Sequence, residues 1–476
     1  MGAGAFSNLK EYDMPVVKPS LPKGTRDFLP EQMTRRQHVF RVVQGVFEKF
    51  GYAPLQTPSL EKLKVLSGKY GDEGEQLIFK VLRRGTGAEK LLRDKKTFTV
   101  HNLGELVNEA LRYDLTVPLS RVVAMYHNDL VFPFKRYQVQ PVWRADRPQR
   151  GRYREFYQCD VDTVGTSSML ADAETINVVY EVLAELGFKK FAIRLNNRKI
   201  LDGMLESAGI PPDQGSATLI TIDKLDKIGL DGVEQELLAR GLSADQVRRM
   251  FGLLEAVAEP RAALETLLKR CGTIAAIAQG ADELLRVVGH LHDLGVPDHV
   301  IRIDHFLVRG LGYYTGPIHE SVVEEPTIGS LSGGGRYDRL IGMFLGRDIP
   351  ACGTALGIER IIDVMEQQNM FPPLRTNATV LVVYFSRDTE GESLSYTHAL
   401  RATGLSAEMY PEPAKLKKQF SYANKKDISF VVIIGSEEAA EGAVTIKDMS
   451  TGEQQKFSRQ EGLTYLGRNV ADARKV

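Results

Sequence analysis

The chain has 476 residues with 61 basic and 61 acidic side chains, for a formal net charge of zero. At about 150 residues per domain the length suggests roughly three domains, and a composition 43% hydrophobic and 26% charged excludes a disordered or collagen-like chain. Neutrality removes global charge as a reason to expect nucleic-acid binding, while local basic patches stay open; three scattered cysteines without a CxxC pair exclude a disulfide framework and a cysteine-rich zinc site.

In chain order, residues 1–20 read as a flexible leader. It has no basic segment followed by an apolar core, so no secretory signal is expected; with no apolar run near the ~18 residues of a membrane span, the expectation is a cytoplasmic protein without membrane attachment, a second organellar pool being left open. Val39, Val42, Val43, Val46, Phe47 and Phe50 fall at helical spacing, predicting a helix over about 31–50 that Gly51 stops. TPSLE (57–61) reads as the end of a strand. Residues 136–143 and 153–164 alternate, predicting a hairpin with a long polar tip. From about 213 to 297 helical patterns dominate, as an insertion between core segments 21–212 and 298–370. Strand signals return at 301–303 and 318–323, a strong helix is expected from near Gly353, and NMFPPLRTN marks a linker at 371–377. The remainder, 378–476, alternates strands and helices, predicting a small α/β domain with a largely parallel sheet.

Four segments could carry chemistry. Between Lys135 and Arg154 there are seven basic residues and one acid, Asp146. Such a run is often a solvated face. Yet alternation puts Arg152, Arg154, Phe156, Gln158, Asp160 and Asp162 on one side of a strand, which is a poor core and a good floor for a polar ligand; the arginine fork suits phosphate. LRYDLTVPLSR (111–121) reads as a helix start with Thr116 as cap, and Asp114 is able to meet a ligand ammonium. LVRGLGYYTG (307–316) sets Arg309 among apolar residues and glycines, beside two tyrosines. In SGGGRYDRL (332–340) the glycines could cradle a phosphate; in GTALGIERI (353–361) Gly357 and Arg360 are i, i+3 on the expected helix and so share one face. P-loop, kinase, GxSxG and HExxH motifs are lacking, and the weak His290–His292 pair does not suggest a structural metal.

Taken together, these segments resemble the histidyl-tRNA synthetase family of class II aminoacyl-tRNA synthetases. PKGTRDFLP (22–30) is similar to the family's N-terminal signature, the helix and strand to Glu61 to motif 1, residues 134–162 to motif 2, GTALGIERI to motif 3 and LVRGLGYYTG to the histidine-specific motif. YQCDVD and LRYDLTVP resemble the eukaryotic branch. The resemblance covers nearly the whole chain and implies a fold: an α+β catalytic domain, an antiparallel sheet flanked by helices, with a helical insertion and a C-terminal α/β anticodon-binding domain. It implies a homodimer that activates L-histidine with ATP and Mg²⁺, then charges tRNA(His). It also implies roles. Asp114, Thr116 and Gln158 would hold the α-amino group of histidine, and Asp162, Tyr313 and Tyr314 its imidazole. Arg144 and Arg309 would be catalytic at the α-phosphate, with Arg152, Arg154 and Arg360 also on ATP. Arg147, Gln149 and Arg150 would touch the tRNA acceptor end, and Lys415, Lys417, Lys418, Lys425 and Lys426, otherwise a solvated helix face, its backbone. One position departs: Gly312 stands where the family usually has Asp. The segment 81–110 also looks longer than the family's connection. A non-catalytic relative, a different class II synthetase and a plain nucleotide-binding module are the rival readings.

Overall fold

The computed structural model describes residues 18–68, 71–86, 89–90, 93, 103–149, 151–252, 259–309, 312–372 and 376–473. Most of the expected leader, Arg150, part of the 371–377 linker and much of 87–102 lie outside these. The apolar stripe Val39, Val43, Val46 and Phe47 is the buried face of helix α1 (Pro30–Lys49). It packs into the chain's own main core.

After β1 (Ala53–Pro54), a small antiparallel sheet joins β2 (Leu60–Lys62), β3 (Lys80–Leu82) and β4 (Val107–Leu111) in the order β2-β4-β3. This accounts for both ends of the long 81–110 segment. TPSLE precedes β2 more than it forms it. Helix α2 (Thr116–Met125) leads to the hairpin β5 (Phe134–Trp143) and β6 (Glu155–Val164), paired antiparallel from Phe134–Val164 to Trp143–Glu155. Then come α3 (Met169–Glu185), β7 (Phe191–Asn197), α4 (Arg198–Ser207), α5 (Pro212–Ile222), α6 (Leu225–Ala239), α7 (Ala244–Gly252), α8 (Pro260–Cys271), α9 (Ala275–Asp293), β8 (Ile301–Ile303), β9 (Pro317–Val323), β10 (Ser332–Arg336), β11 (Ala351–Gly357) and α10 (Ile358–Gln367).

Eight strands form one sheet, ordered β1-β5-β6-β11-β10-β9-β7-β8. The pairings from β5 to β7 are antiparallel, and the short edge strands β1 and β8 add in parallel. The helix expected from Gly353 begins only at Ile358. GTALG is the central strand β11, whose small residues let β6 and β10 close on both sides. The helical stretch is not a free-standing module. Leu264, Leu267, Ile277, Leu284 and Val287 of α8 and α9 share the core of β7 and α3, whereas α5–α7 cluster with α4 and with Leu307, Val308 and Ile318.

The C-terminal unit contains β12 (Val380–Val383), α11 (Glu390–Ala402), β13 (Ala407–Met409), α12 (Leu416–Lys426), β14 (Phe430–Ile433), β15 (Ala443–Asp448), β16 (Gln454–Ser458) and α13 (Arg459–Ala473). Its sheet, ordered β13-β12-β14-β15-β16, is buried on both faces at β12 and β14: Val380 and Val432 enter one apolar cluster, Leu381 and Val431 the other. It is mixed and not largely parallel. β13, β12 and β14 are parallel, but β15 and β16 return antiparallel through a tight turn in which Asp448 Oδ1 accepts from the N–H groups of Ser450 and Thr451. No helix among the described residues is long and apolar enough to cross a membrane.

Candidate active site

The alternation of β6 divides its residues between two environments. Cys159 and Val161 are fully buried in the main core. Phe156, Gln158, Asp160 and Asp162 face the other way and floor a cavity of about 860 Å³. Asp162 lies against β11 because Gly353 has no side chain; a Cβ there would stand 2.0 Å from Asp162 Oδ1. The carboxylate forms a buried ion pair with Arg136 at 2.7 Å and accepts a hydrogen bond from the Tyr337 hydroxyl. Burial nevertheless keeps its pKa above the usual carboxylate range, with Arg136 and Tyr337 opposing.

At the rim, Asp114 and not Thr116 caps α2: its Oδ1 accepts from Val117 N–H at 3.2 Å. Thr116 lines the cavity with Asp114 and with Tyr313. The Tyr313 and Tyr314 rings lie 4.9 Å apart, and Tyr313 meets Tyr337 edge-on at 5.8 Å. Burial pushes both tyrosine hydroxyls of the pair upward, so they stay protonated donors.

Arg144, Arg152, Arg309 and Arg360 line the same cavity. Arg144 donates to Tyr113 O at 3.1 Å and lies over the Tyr113 ring at 4.3 Å. Arg152 pairs with Asp146 at 2.8 Å. Arg309 pairs with Glu320 at 2.9 Å; burial works against its charge, but Tyr314, Glu320 and Asp223 outweigh that and raise its pKa. Arg360 donates to Ser330 O at 2.7 Å. Its pKa is depressed by burial first, then by Arg309, Arg152 and Arg144, against a smaller opposing pull from Glu320. That repulsion is the electrostatic signature of a polyanion site.

Three expectations are corrected. Arg154 does not join this group: β6 begins at Glu155, and the side chain of Arg154 turns out to Asp146 O at 3.0 Å and to the backbone of Lys23. Gly357 ends β11, so it shares no helix face with Arg360. Gly333–Gly335 are strand residues and not a phosphate loop. The missing side chain at Gly333 makes room for Arg309, whose Nη2 would lie 2.1 Å from a Cβ there. At the hairpin tip, Arg147 and Gln149 are exposed. In the C-terminal unit, Lys415, Lys417 and Lys425 are exposed, while Lys418 pairs with Glu412 at 2.7 Å and Lys426 with Glu408 at 2.8 Å. The lysine run is therefore partly neutralised by acids outside its own helix.

Sequence reasoning missed a second group around the cavity. Arg194 reaches Asp226 at 2.6 Å, Asp304 at 2.6 Å and Glu320 at 3.1 Å, and Asp223 lies nearby on the turn between α5 and α6. Nothing local marks these residues. Arg136 opposite Asp162 was in principle readable from the hairpin register, but the length of the tip hides it. Tyr337 stood in SGGGRYDRL without a reason to single it out.

A cavity at the centre of a mostly antiparallel sheet, floored by motif 2 acids and walled by arginines from motifs 2 and 3, defines a class II aminoacyl-tRNA synthetase. The histidyl-tRNA synthetase family model matches residues 24–361, and an anticodon-binding domain model matches 379–469. The histidine–tRNA ligase of Cytophaga hutchinsonii is 43% identical over 449 residues, 93% of this chain and 98% of its own. That of Gloeobacter violaceus is 41% identical, covering 91% and 95% of the two chains. The crystal structure of histidyl-tRNA synthetase from Nostoc sp. PCC 7120 superposes with a TM-score of 0.81 at 31% identity, over 95% of this chain and all of that one. The chain belongs to the histidyl-tRNA synthetase family, ligases that form aminoacyl-tRNA. These relatives are bacterial, so the eukaryotic-type expectation gains no support.

Proposed function

We propose that the cavity binds L-histidine on the β6 floor and ATP along its arginine wall, makes histidyl-adenylate with release of pyrophosphate, and passes the histidyl group to the 3′ end of tRNA(His), giving AMP. The observation that carries this reading is the convergence of Arg144, Arg152, Arg309 and Arg360 on one cavity whose floor is acidic. Arg144 and Arg309 approach the α-phosphate from two sides. The histidine carboxylate attacks phosphorus in line; both partners are anionic, and fixed guanidiniums relieve their repulsion and stabilise the charge that grows in the transition state. Asp114, Thr116 and Gln158 orient the α-amino group, Asp162 with Tyr313 and Tyr314 the imidazole, and Arg360 with Arg152 the outer phosphates.

Mg²⁺ prefers oxygen ligands and keeps few protein contacts. Glu320 would offer it a carboxylate oxygen, although Oε1 pairs with Arg194 and Oε2 with Arg309 and Ser330 Oγ, so the phosphates would supply most of its ligands. When bound, the ion supplies charge neutralisation on the departing pyrophosphate. The exposed Arg147 and Gln149 suit the acceptor end of tRNA, and the exposed Lys415, Lys417 and Lys425 its backbone. The enzyme acts as a cytoplasmic homodimer. The exposed apolar side chains Met125, at the end of α2, and Tyr126 and Val131, beyond it, offer a contact surface for it.

Histidine-dependent ATP–pyrophosphate exchange without tRNA tests the reading. Strong exchange is expected with histidine alone, falling by about 10²–10³-fold in Arg309→Ala. A folded sample that binds histidine yet shows no exchange would overturn it in favour of a non-catalytic relative.

A further inference from the structure

Three carboxylates stand at the amino-acid end of the cavity, and two of them are engaged. Asp162 is held by Arg136 and Tyr337, and Asp114 by the α2 backbone. Asp160 differs. It is 2% exposed and enters no ion pair or helix cap among the described residues; its Oδ1 has no hydrogen-bond partner there, as is also true of the second oxygens of Asp114 and Asp162. The same is true of Gln158 Oε1, two residues away on the same strand face. Two buried acceptors without donors, side by side on a pocket floor, call for a ligand that carries several N–H donors.

We propose that Asp160 is a further ligand of the substrate's α-ammonium group, acting beside Gln158 Oε1 and in addition to Asp114 and Thr116. The inference rests on the cavity being the histidine site. The ammonium is the better match than the imidazole because it bears a full charge and three donors near neutral pH, whereas free imidazole is largely neutral there. A buried carboxylate without a partner is costly to ionise until such a cation arrives. The charged and titratable groups around Asp160 are Arg136 and Arg144, Asp162 and Asp114, and the Tyr314 hydroxyl. Burial, reinforced by the two aspartates and opposed by the arginines, holds Asp160 well above the usual carboxylate range. That favours its neutral form in the empty pocket. Docking the ammonium favours the carboxylate, and the proton leaves to solvent.

Calorimetry on the full-length protein, without ATP, tests this at mildly alkaline pH in buffers of different ionisation enthalpy. L-Histidine is compared with 3-(imidazol-4-yl)propionate, which lacks only the amino group. Wild-type protein should release protons on binding histidine and none on binding the des-amino compound. Asp160→Asn should weaken histidine roughly 10- to 100-fold, as loss of a charge-assisted hydrogen bond predicts, and leave the des-amino compound unchanged. Melting temperature and ATP affinity report whether the variant is folded. Equal losses for both compounds, or none for histidine, overturn the assignment to the ammonium. Absence of proton release from wild-type protein overturns it without any variant. Wild-type protein that binds ATP but not histidine would instead remove the amino-acid reading of the cavity, a different failure.

Discussion

Arg136 on β5 and Asp162 on β6 are register partners, and their side chains form an ion pair 2.7 Å apart with both groups essentially excluded from solvent. The pair holds the pocket floor in place from behind. Removing one member leaves a buried charge without its partner. Arg136→Ala is expected to destabilise the protein by about 3–5 kcal/mol, and Arg136→Met, which fills the space, to do so as well because Asp162 remains. The double variant Arg136→Met with Asp162→Asn should recover much of the loss. Thermal melts of the three proteins measure it.

Gly333 is needed for reach and not for backbone conformation. Gly333→Ala would drive a methyl group into the Arg309 guanidinium, which lies 2.1 Å from the Cβ position. Displacing Arg309 by about an ångström should cut pyrophosphate exchange on the order of 10²-fold. Pyrophosphate exchange and the melting temperature, measured together, separate this from unfolding.

Gly312 behaves in the opposite way. A Cβ there meets nothing within 4 Å. Gly312→Asp, which restores the residue usual in the family, should therefore change stability by no more than about 0.5 kcal/mol. A melt shift of many degrees would show that the glycine is structurally required.

Glu359 links α10 to α1 through Arg36 at 2.7 Å and to the N-terminal segment through Arg26. Burial alone would raise its pKa, but the two arginines win and hold it below the ordinary value. A depressed folded pKa contributes stability that is complete above the unfolded value, about 4.3 for glutamate, and is lost as pH falls through the folded one. The wild-type melting temperature should fall across that acid window more steeply than that of Glu359→Gln.

The lysines of the C-terminal helix are not equivalent. Replacing exposed Lys415, Lys417 and Lys425 with Ala should lower the salt dependence of tRNA binding by about 2–3 in the log–log slope. Lys418→Ala should change it less, because that charge already sits 2.7 Å from Glu412. Filter binding across a salt series provides the slope.

Features under the control of local periodicity were legible before the fold was known. A strand turns over every second residue, so YQCDVD alone sends Cys159 and Val161 to the core and Gln158, Asp160 and Asp162 to the pocket. Helical spacing likewise marked the buried face of α1. Where an element begins, and what a charge pairs with, depend on contacts that spacing does not encode. Extending the alternation past Glu155 put Arg154 on the wrong side, and reading GTALG with the helix after it hid a central strand. Long-range packing joined Arg194 to Asp226, Asp304 and Glu320, paired Asp162 with Arg136 and left Asp160 Oδ1 without a hydrogen-bond partner among the described residues. Those outcomes follow from which distant segments pack side by side, and the cost of burying a charge then decides which groups pair and which wait for a ligand.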